Sequence, residues 1–377
     1  MKKILIDGTG GSNWIGGLYY KNNIIFSLLQ NKYIKDNYKI IVLTEKENKK
    51  VFLTNGNDIV IKTLDIKNLK LRKIAIIAYA YTHACKIIFP ASGKMTRLRW
   101  INGVSWIADF QYKHYPKFFS EDTINQKNKL YSGIANNSNP LVLSSQDCMD
   151  DFNKYFSDTR KNIYVIHFVS NIEQIIREID KKSENYVLEK CSLKRKRYAV
   201  IMNQFWQHKN HIVVFKAIKT IMDKYRDLDF QFVFTGKMED YRNPKYIEML
   251  KKIANDEFVA SHIKMLGFID RKEQIILMKN ASFVVQPSLF EGWGTVLEDA
   301  KVLDKTVLLS DIPVHREQRN KKSILFAPND SELLSTLILE EIQKTHDDDI
   351  NQGIADMYKR AEDYSKGFEY LLKDLDD

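Results

Sequence analysis

Two carboxylates, Glu291 and Asp299, bracket a glycine-rich turn in the segment QPSLFEGWGTVLEDA, residues 286–300. Ahead of it, the apolar run SFVVQPS reads as a strand ending at Pro287, and a helix begins near Gly294. A helix so placed points its free N–H groups and positive dipole end at the carboxyl edge of a sheet, where open α/β folds bind ligands. Gly292 and Gly294 let backbone amides approach a phosphate or a sugar with no Cβ in the way. Glu291 lies in the loop and is expected to point towards the ligand. At about 100° per residue, Val296, Leu297, Ala300 and Leu303 form the buried helix face. Asp299 flanks that face and is the ligand candidate, whereas Glu298 lies almost opposite it and is expected in solvent. An ordinary helix with an acidic start, favoured by the dipole alone, is the plainer alternative.

The elements that must hold these residues are legible as alternating apolar runs and longer polar segments, the pattern of parallel α/β sheets. KKILID (2–7), YKIIVLT (38–44), DIVIKTL (58–64), IAIIAYA (74–80), KIIFPA (86–91), LVLSS (141–145) and IYVIHF (163–168) form a first set of strands. The longest of the apolar runs, IAIIAYAY at 74–81, is read as a buried strand. A charged, helix-like stretch ending in KRKR (194–197) separates the halves, and is either a solvated connection or a nucleic-acid patch. The alternation then restarts with YAVIMN, FQFVFTG, HIKMLGF, SFVVQPS and KTVLLSD. An amphipathic helix closes the chain, with Met357, Ala361, Tyr364, Phe368 and Leu371 at helical spacing. Two domains and a closing helix follow: residues 1–180, residues 181–355, and a final helix, 356–377, crossing back to the first.

Composition narrows the class. With 377 residues, 44% apolar and 28% charged, the chain suits two soluble domains. No apolar run reaches the ~20 residues that span a bilayer. Cys85, Cys148 and Cys191 are too scattered for a disulfide framework or a metal cluster, so a cytoplasmic setting is expected. Residues 1–170 hold 25 Lys+Arg against 13 Asp+Glu, a balance of +12, and the remainder balances at −2. That asymmetry suits an anionic partner such as a nucleic acid, a membrane surface or a phosphate-bearing acceptor, or else lysines that are merely solvated.

The segment PSLFEGWGTVLEDAKVLDKTVLLSDIPVHRE resembles the nucleotide-sugar motif of the retaining glycosyltransferase family 4 (group 1), whose fold is α/β GT-B: two Rossmann-like domains facing across a cleft. The family carries two glutamates separated by seven residues. The first, which contacts donor-sugar hydroxyls, matches Glu291; the second, which contacts the ribose, falls on the shorter Asp299. Gly292, Trp293, Gly294 and Thr295 would line the donor with them. YAVIMNQFWQHKNHIVVFKAI resembles the strand, loop and helix in which an Arg and a Lys bind the diphosphate. Lys209 matches the Lys, Gln204 stands at the Arg position, and Asn203, Trp206 or His208 would line the same pocket. An aromatic loop closing a core is the alternative there. The resemblance further implies base recognition at Gly267, Phe268 and Ile269, and donor phosphates facing Gly16 and Gly17 in DGTGGSNWIGGLYY.

RWINGVSWIADFQYKHYPKFFS (99–120) resembles an acceptor-domain segment in which His114 would bond donor sugar or acceptor, or serve a structural role. Its basic and aromatic residues suit a membrane interface or plain packing. The resemblance implies retaining transfer from a nucleotide-sugar such as GDP-mannose, UDP-hexose or dTDP-rhamnose, with no metal and no cofactor. The acceptor expected is a saccharide, in the undecaprenyl-diphosphate-linked form used for O-antigen or capsule, at the cytoplasmic face of the inner membrane. Two other classes are open: a GT-B nucleotide-sugar epimerase, and a basic nucleic-acid-binding protein, which would leave Glu291 and Asp299 unexplained.

Overall fold

The computed structural model describes the chain apart from residues 11–14, 54–57, 93–94, 96–97, 157–161, 241 and 377. It divides into two compact units. The first comprises Met1–Pro116, Ser120–Asn171 and Met357–Asp377, and the second comprises Lys117–Phe119 and Ile172–Asp356.

In the first unit, β1 (Lys2–Asp7), β2 (Tyr38–Thr44), β3 (Ile59–Thr63), β4 (Ile87–Phe89) and β5 (Asn102–Gly103) form a parallel sheet in the order β3-β2-β1-β4-β5. A second parallel sheet contains β6 (Ser105–Ile107), β7 (Leu141–Leu143) and β8 (Ile163–Val165). Only Val104 separates β5 from β6. Its N–H bonds to Ile88 O, and the next N–H, of Ser105, bonds to Pro140 O, so one extended run serves both sheets. β2, β4 and β7 are apolar and buried almost throughout, as strands of a parallel sheet covered on both faces are.

The run at 74–81 is a helix, Leu69–Thr82, not a buried strand. Asn68 caps it, its side chain accepting the N–H groups of Lys70 and Leu71 at 3.0 and 3.2 Å. Ile76 and Ala80, one turn apart, pack into the core with Leu5, Ile41 and Ile88. The opposite face, also apolar, lies in the open. A helix apolar on both faces has the composition of a buried strand, so an apolar run of this length does not separate the two.

The second unit is one six-stranded parallel sheet. Its strands are β9 (Tyr198–Met202), β10 (Gln231–Thr235), β11 (Ile263–Met265), β12 (Val284–Gln286), β13 (Val307–Ser310) and β14 (Ser323–Phe326). The order β11-β10-β9-β12-β13-β14 means that the chain winds outward from β9, returns to β12 and winds out the other way. A doubly wound sheet has its topological switch point where the order reverses, here between β9 and β12. Helix His211–Lys224 covers one face with Val214, Phe215, Ile218 and Ile221, and Phe215 stacks on Phe234 at 4.8 Å.

The last helix spans Ile350–Asp376; Met357, Ala361, Phe368 and Leu371 are fully buried, as are Ser365 and Leu372, while Tyr364 is half-buried. From Met357 onward it belongs to the first unit, where Asn31 donates to Glu369 Oε2 at 2.8 Å and Phe368 meets Phe89 edge-on. No helix among the described residues is long and apolar enough to cross a membrane.

Candidate functional site

The carboxyl ends of β9 and β12 deliver the residues that converge at the switch point. Asn203 follows β9 and Gln286 ends β12; the two amides face each other, Asn203 Nδ2 donating to Gln286 Oε1 at 2.9 Å. Gln286 Nε2 in turn donates to Glu291 Oε1 at 3.0 Å, and Ser288 Oγ donates to the same oxygen at 2.7 Å. From the β9 side, Lys209 Nζ reaches both oxygens of Glu291, at 2.6 and 2.8 Å. The two loops are tied by backbone as well, Leu289 N–H donating to His208 O, and by Asn210 Nδ2 donating to Pro287 O. Sequence therefore places Lys209 and Glu291 82 residues apart, and the fold makes them an ion pair with side chains only 15% and 10% exposed.

Electrostatics follow from that pairing. Burial pushes the Glu291 carboxyl up, but the charge and hydrogen bonds of Lys209, with Ser288, hold it below the usual carboxylate range. His315 stands behind it. Its Nδ1 lies 2.8 Å from Ser310 O, an acceptor only, so Nδ1 carries the proton and Nε2 keeps its lone pair. That Nε2 is buried with no hydrogen-bond partner. Burial lowers the His315 pKa to about 4, and Lys209 adds to the effect against Glu291 and the Ser310 carbonyl.

A histidine kept neutral by folding makes stability depend on pH. Between about 6.5 and about 4 the unfolded chain binds the proton and the folded chain refuses it, so stability falls as pH falls through that window. The shift corresponds to about 3 kcal/mol once pH is below 4. His211, lowered by burial to about 3, acts in the same direction. We expect His315→Gln to flatten part of the wild-type loss of thermal midpoint between pH 7 and 4; identical pH profiles would contradict this.

The helix Thr295–Val302 starts at Gly294, which has no side-chain cap of its own. Gln318 grips that residue from both sides, accepting the Gly294 N–H at 3.0 Å and donating to its carbonyl at 2.8 Å. Trp293 is buried, while Gly292 and Thr295 are half-buried. The helix is enclosed on all sides from Leu297 to Val302. Glu298 is accordingly not in solvent: it is fully buried, bonded to Lys301 Nζ at 2.6 Å and to Gln318 Nε2 at 3.0 Å. Val296, placed on the buried face by its angle, is half-buried. Helix angle alone identifies the side facing the sheet, and here the neighbouring elements cover the other side too.

Asp299 is also fully buried, and Arg271 holds it by two parallel bonds of 2.7 and 2.6 Å. Arg271 opens the helix after the 267–269 loop, so this fork joins that loop to the Glu291 loop. In the loop itself Gly267 takes a positive φ of 66°, its carbonyl accepts the Gly236 N–H, and Phe268 is exposed. Gly236, at φ 100°, passes so close to Asn203 O that a Cβ would sit 2.4 Å from it. Only glycine fits that crossing. Gln204, at the position expected of an arginine, accepts the Lys237 N–H.

Three expected site residues belong to the first unit. Gly16 and Gly17 lie in the first turn of helix Ile15–Leu28, Gly16 exposed and Gly17 buried; residues 11–14 of the glycine loop lie outside the described residues. His114 ends a short helix, Gln111–His114, and its Nε2 contacts both Asp151 oxygens at 2.8 and 2.7 Å. The hydrogen bond that His114 donates to Asp151 raises its pKa, with burial opposing. Sequence reading missed Gln286, Ser288, Arg271, His315 and Gln318. The segments containing them carried the signal, but which side chain turns inward is decided by strand ends from distant parts of the chain. Among the described residues no group of three or more His, Cys, Asp or Glu is arranged to hold a metal ion.

Two Rossmann-like units, one with a charged switch-point site beside a helix N-terminus, are the GT-B fold. Residues 188–367 match the model of the family of glycosyl transferases group 1. The O-antigen chain mannosyltransferase RfbU of Salmonella typhimurium is 22% identical over 273 residues, covering 70% of this chain and 69% of its own. An uncharacterized glycosyltransferase of Methanocaldococcus jannaschii is 32% identical over 101 residues, 26% of each chain. A crystal structure of Anabaena HepE in complex with UDP-glucose superposes with a TM-score of 0.67 at 14% identity, covering 100% of both chains.

Proposed function

We propose that the chain transfers a sugar from a nucleotide-sugar to a saccharide acceptor with retention of anomeric configuration, without a metal ion, in the assembly of a surface polysaccharide such as O-antigen. One observation carries the reading: Lys209 and Glu291 are brought together at the switch point of a doubly wound sheet, beside the N-terminus of helix Thr295–Val302. Mannosyl transfer by RfbU supports the class of reaction, and UDP-glucose in HepE supports the class of donor.

Lys209 and Glu291 neutralise each other as a close ion pair. A diphosphate offers Lys209 more negative charge than one carboxylate does, and the adjacent helix N-terminus adds to its pull. Glu291, held by Gln286 and Ser288, is then free to accept donor-sugar hydroxyls. Lys209 would stabilise charge developing on the leaving diphosphate, and Glu291 would orient the sugar. The leaving phosphate oxygen would take the proton of the incoming hydroxyl on the same face. Gly267, Phe268 and Ile269 would read the base, and Asp299, through Arg271, would fix the loop beside the ribose. His114 would meet the sugar or acceptor. The acceptor we assign is lipid-linked, the undecaprenyl-diphosphate type, at a membrane surface on the cytoplasmic side, with no nucleic acid involved.

Proton NMR of the product formed in EDTA tests this. The same anomeric configuration as in the donor, with turnover intact, is the result expected. Inversion, or loss of turnover restored by a divalent ion, would overturn the proposal.

A further inference from the structure

Helix Leu69–Thr82 carries a second apolar face that its own unit does not cover. Leu71, Ile74, Ala78 and Tyr81 recur at three- and four-residue spacing and are all exposed, Leu71 and Ile74 by 57% and 59%. At the far end of this stripe Tyr81 Oη donates to Arg99 O at 2.9 Å, which brings the Arg99–Trp100 turn alongside. Trp100 is the most exposed tryptophan side chain described, at 73%, and the Arg99 guanidinium lies over its ring at 4.4 Å. Its φ of +66° is a conformation that side-chain-bearing residues rarely take, so the ring is presented at a cost to the backbone.

Charge decides what this face fits. From Ile66 to Ala108 the chain contains eight Lys and Arg residues and no Asp or Glu. Lys67 and Lys70 are exposed at one end of the stripe and Arg99 at the other. An apolar stripe with aromatic side chains at one end and basic groups at both matches a helix lying in the headgroup layer. There the apolar face enters the acyl boundary, lysines extend to the phosphates, and Trp and Tyr sit at headgroup level.

We propose that helix Leu69–Thr82 and the Arg99–Trp100 turn form the face by which this chain docks on an anionic lipid surface. The placement rests on the reading of a lipid-linked acceptor for its purpose, though its geometry stands apart from the sugar site. From the inner side of the same helix Arg72 bonds Glu45 Oε1 at 2.8 Å, and that oxygen accepts the Gly10 N–H at 2.8 Å. The docking helix is thus one ion pair from the glycine loop after β1.

Co-sedimentation with phosphatidylglycerol–phosphatidylcholine vesicles, against phosphatidylcholine alone, reads the proposal out. Wild type should bind the anionic vesicles at low salt and leave them as salt rises. Ile74→Asp, Trp100→Gly and Lys67→Glu/Lys70→Glu should each weaken partitioning about ten-fold or more. Trp100→Gly removes the ring while suiting the positive φ, so its thermal midpoint should hold, separating docking from folding. No wild-type binding, equal binding to neutral vesicles, or unchanged binding by the variants would overturn the assignment. So would a lipid-free dimer that Ile74→Asp dissolves, since a second copy would then own the face. Thermal shift by nucleoside diphosphates is measured in parallel: if it persists while vesicle binding is absent, only the docking face falls. If the shift is absent, it is the donor-site reading that falls.

Discussion

Lys209→Ala should lower kcat/KM for the donor by about 10²–10³-fold, the scale seen when a preorganised charge-stabilising group is lost. The argument is electrostatic. Lys209 is the cation that the structure places against Glu291 at the end of the switch-point strands, and the arginine position beside it is occupied by neutral Gln204. Less redundancy should make the loss larger. Removing the lysine also leaves Glu291 buried with only Gln286 and Ser288, so its carboxyl should titrate at higher pH than in wild type. Lys209→Arg should recover part of the rate, because charge is kept while the fork geometry differs. If Lys209→Ala turns over within about three-fold of wild type, the lysine does not face the leaving group.

Glu298→Ala should carry the largest stability cost, roughly 3–5 kcal/mol, as expected when one member of a buried ion pair is removed. Lys301 is 4% exposed and Glu298 is wholly enclosed, so no solvent is at hand to replace the lost carboxylate. Gln318 Nε2 loses one acceptor at the same time, and Gln318 is what grips Gly294 at the helix start. Donor affinity should therefore fall along with stability. Urea unfolding of Glu298→Ala and Glu298→Gln measures it, with the glutamine variant intermediate. A change within ±0.5 kcal/mol, the range of ordinary surface substitutions, would mean Glu298 faces solvent as the helix angle alone suggested.

β1 and β2 coincide with KKILID and YKIIVLT, because strands of a parallel sheet covered on both faces read as unbroken apolar runs. The same rule misplaced IAIIAYAY, whose apolar residues serve a core on one side and an open face on the other. β5 and β6, two and three residues long within RWINGVSWIADF, and β14 at SILF are too short to stand out as apolar runs. Lys209, Glu291 and Asn203 were legible as residues of a strand–loop–helix pattern; the ion pair they make was not, since spacing along one loop says nothing of a partner on another. Arg271 shows the same limit. Its position after the 267–269 loop is visible, and its grip on Asp299 depends on two helix starts meeting in space.

The measurement that bears most directly on the sugar-nucleotide site is a thermal-shift panel of UDP, GDP, dTDP, CMP and NAD on wild type, Lys209→Ala and Glu291→Ala. A ligand at ~100 times its Kd should stabilise the folded chain by about 2.7 kcal/mol. One nucleoside diphosphate raising the wild-type midpoint, with the shift lost in Lys209→Ala and retained in part by Glu291→Ala, is the result predicted. No shift with any diphosphate, or a shift with NAD alone, would contradict the donor site at Lys209 and Glu291.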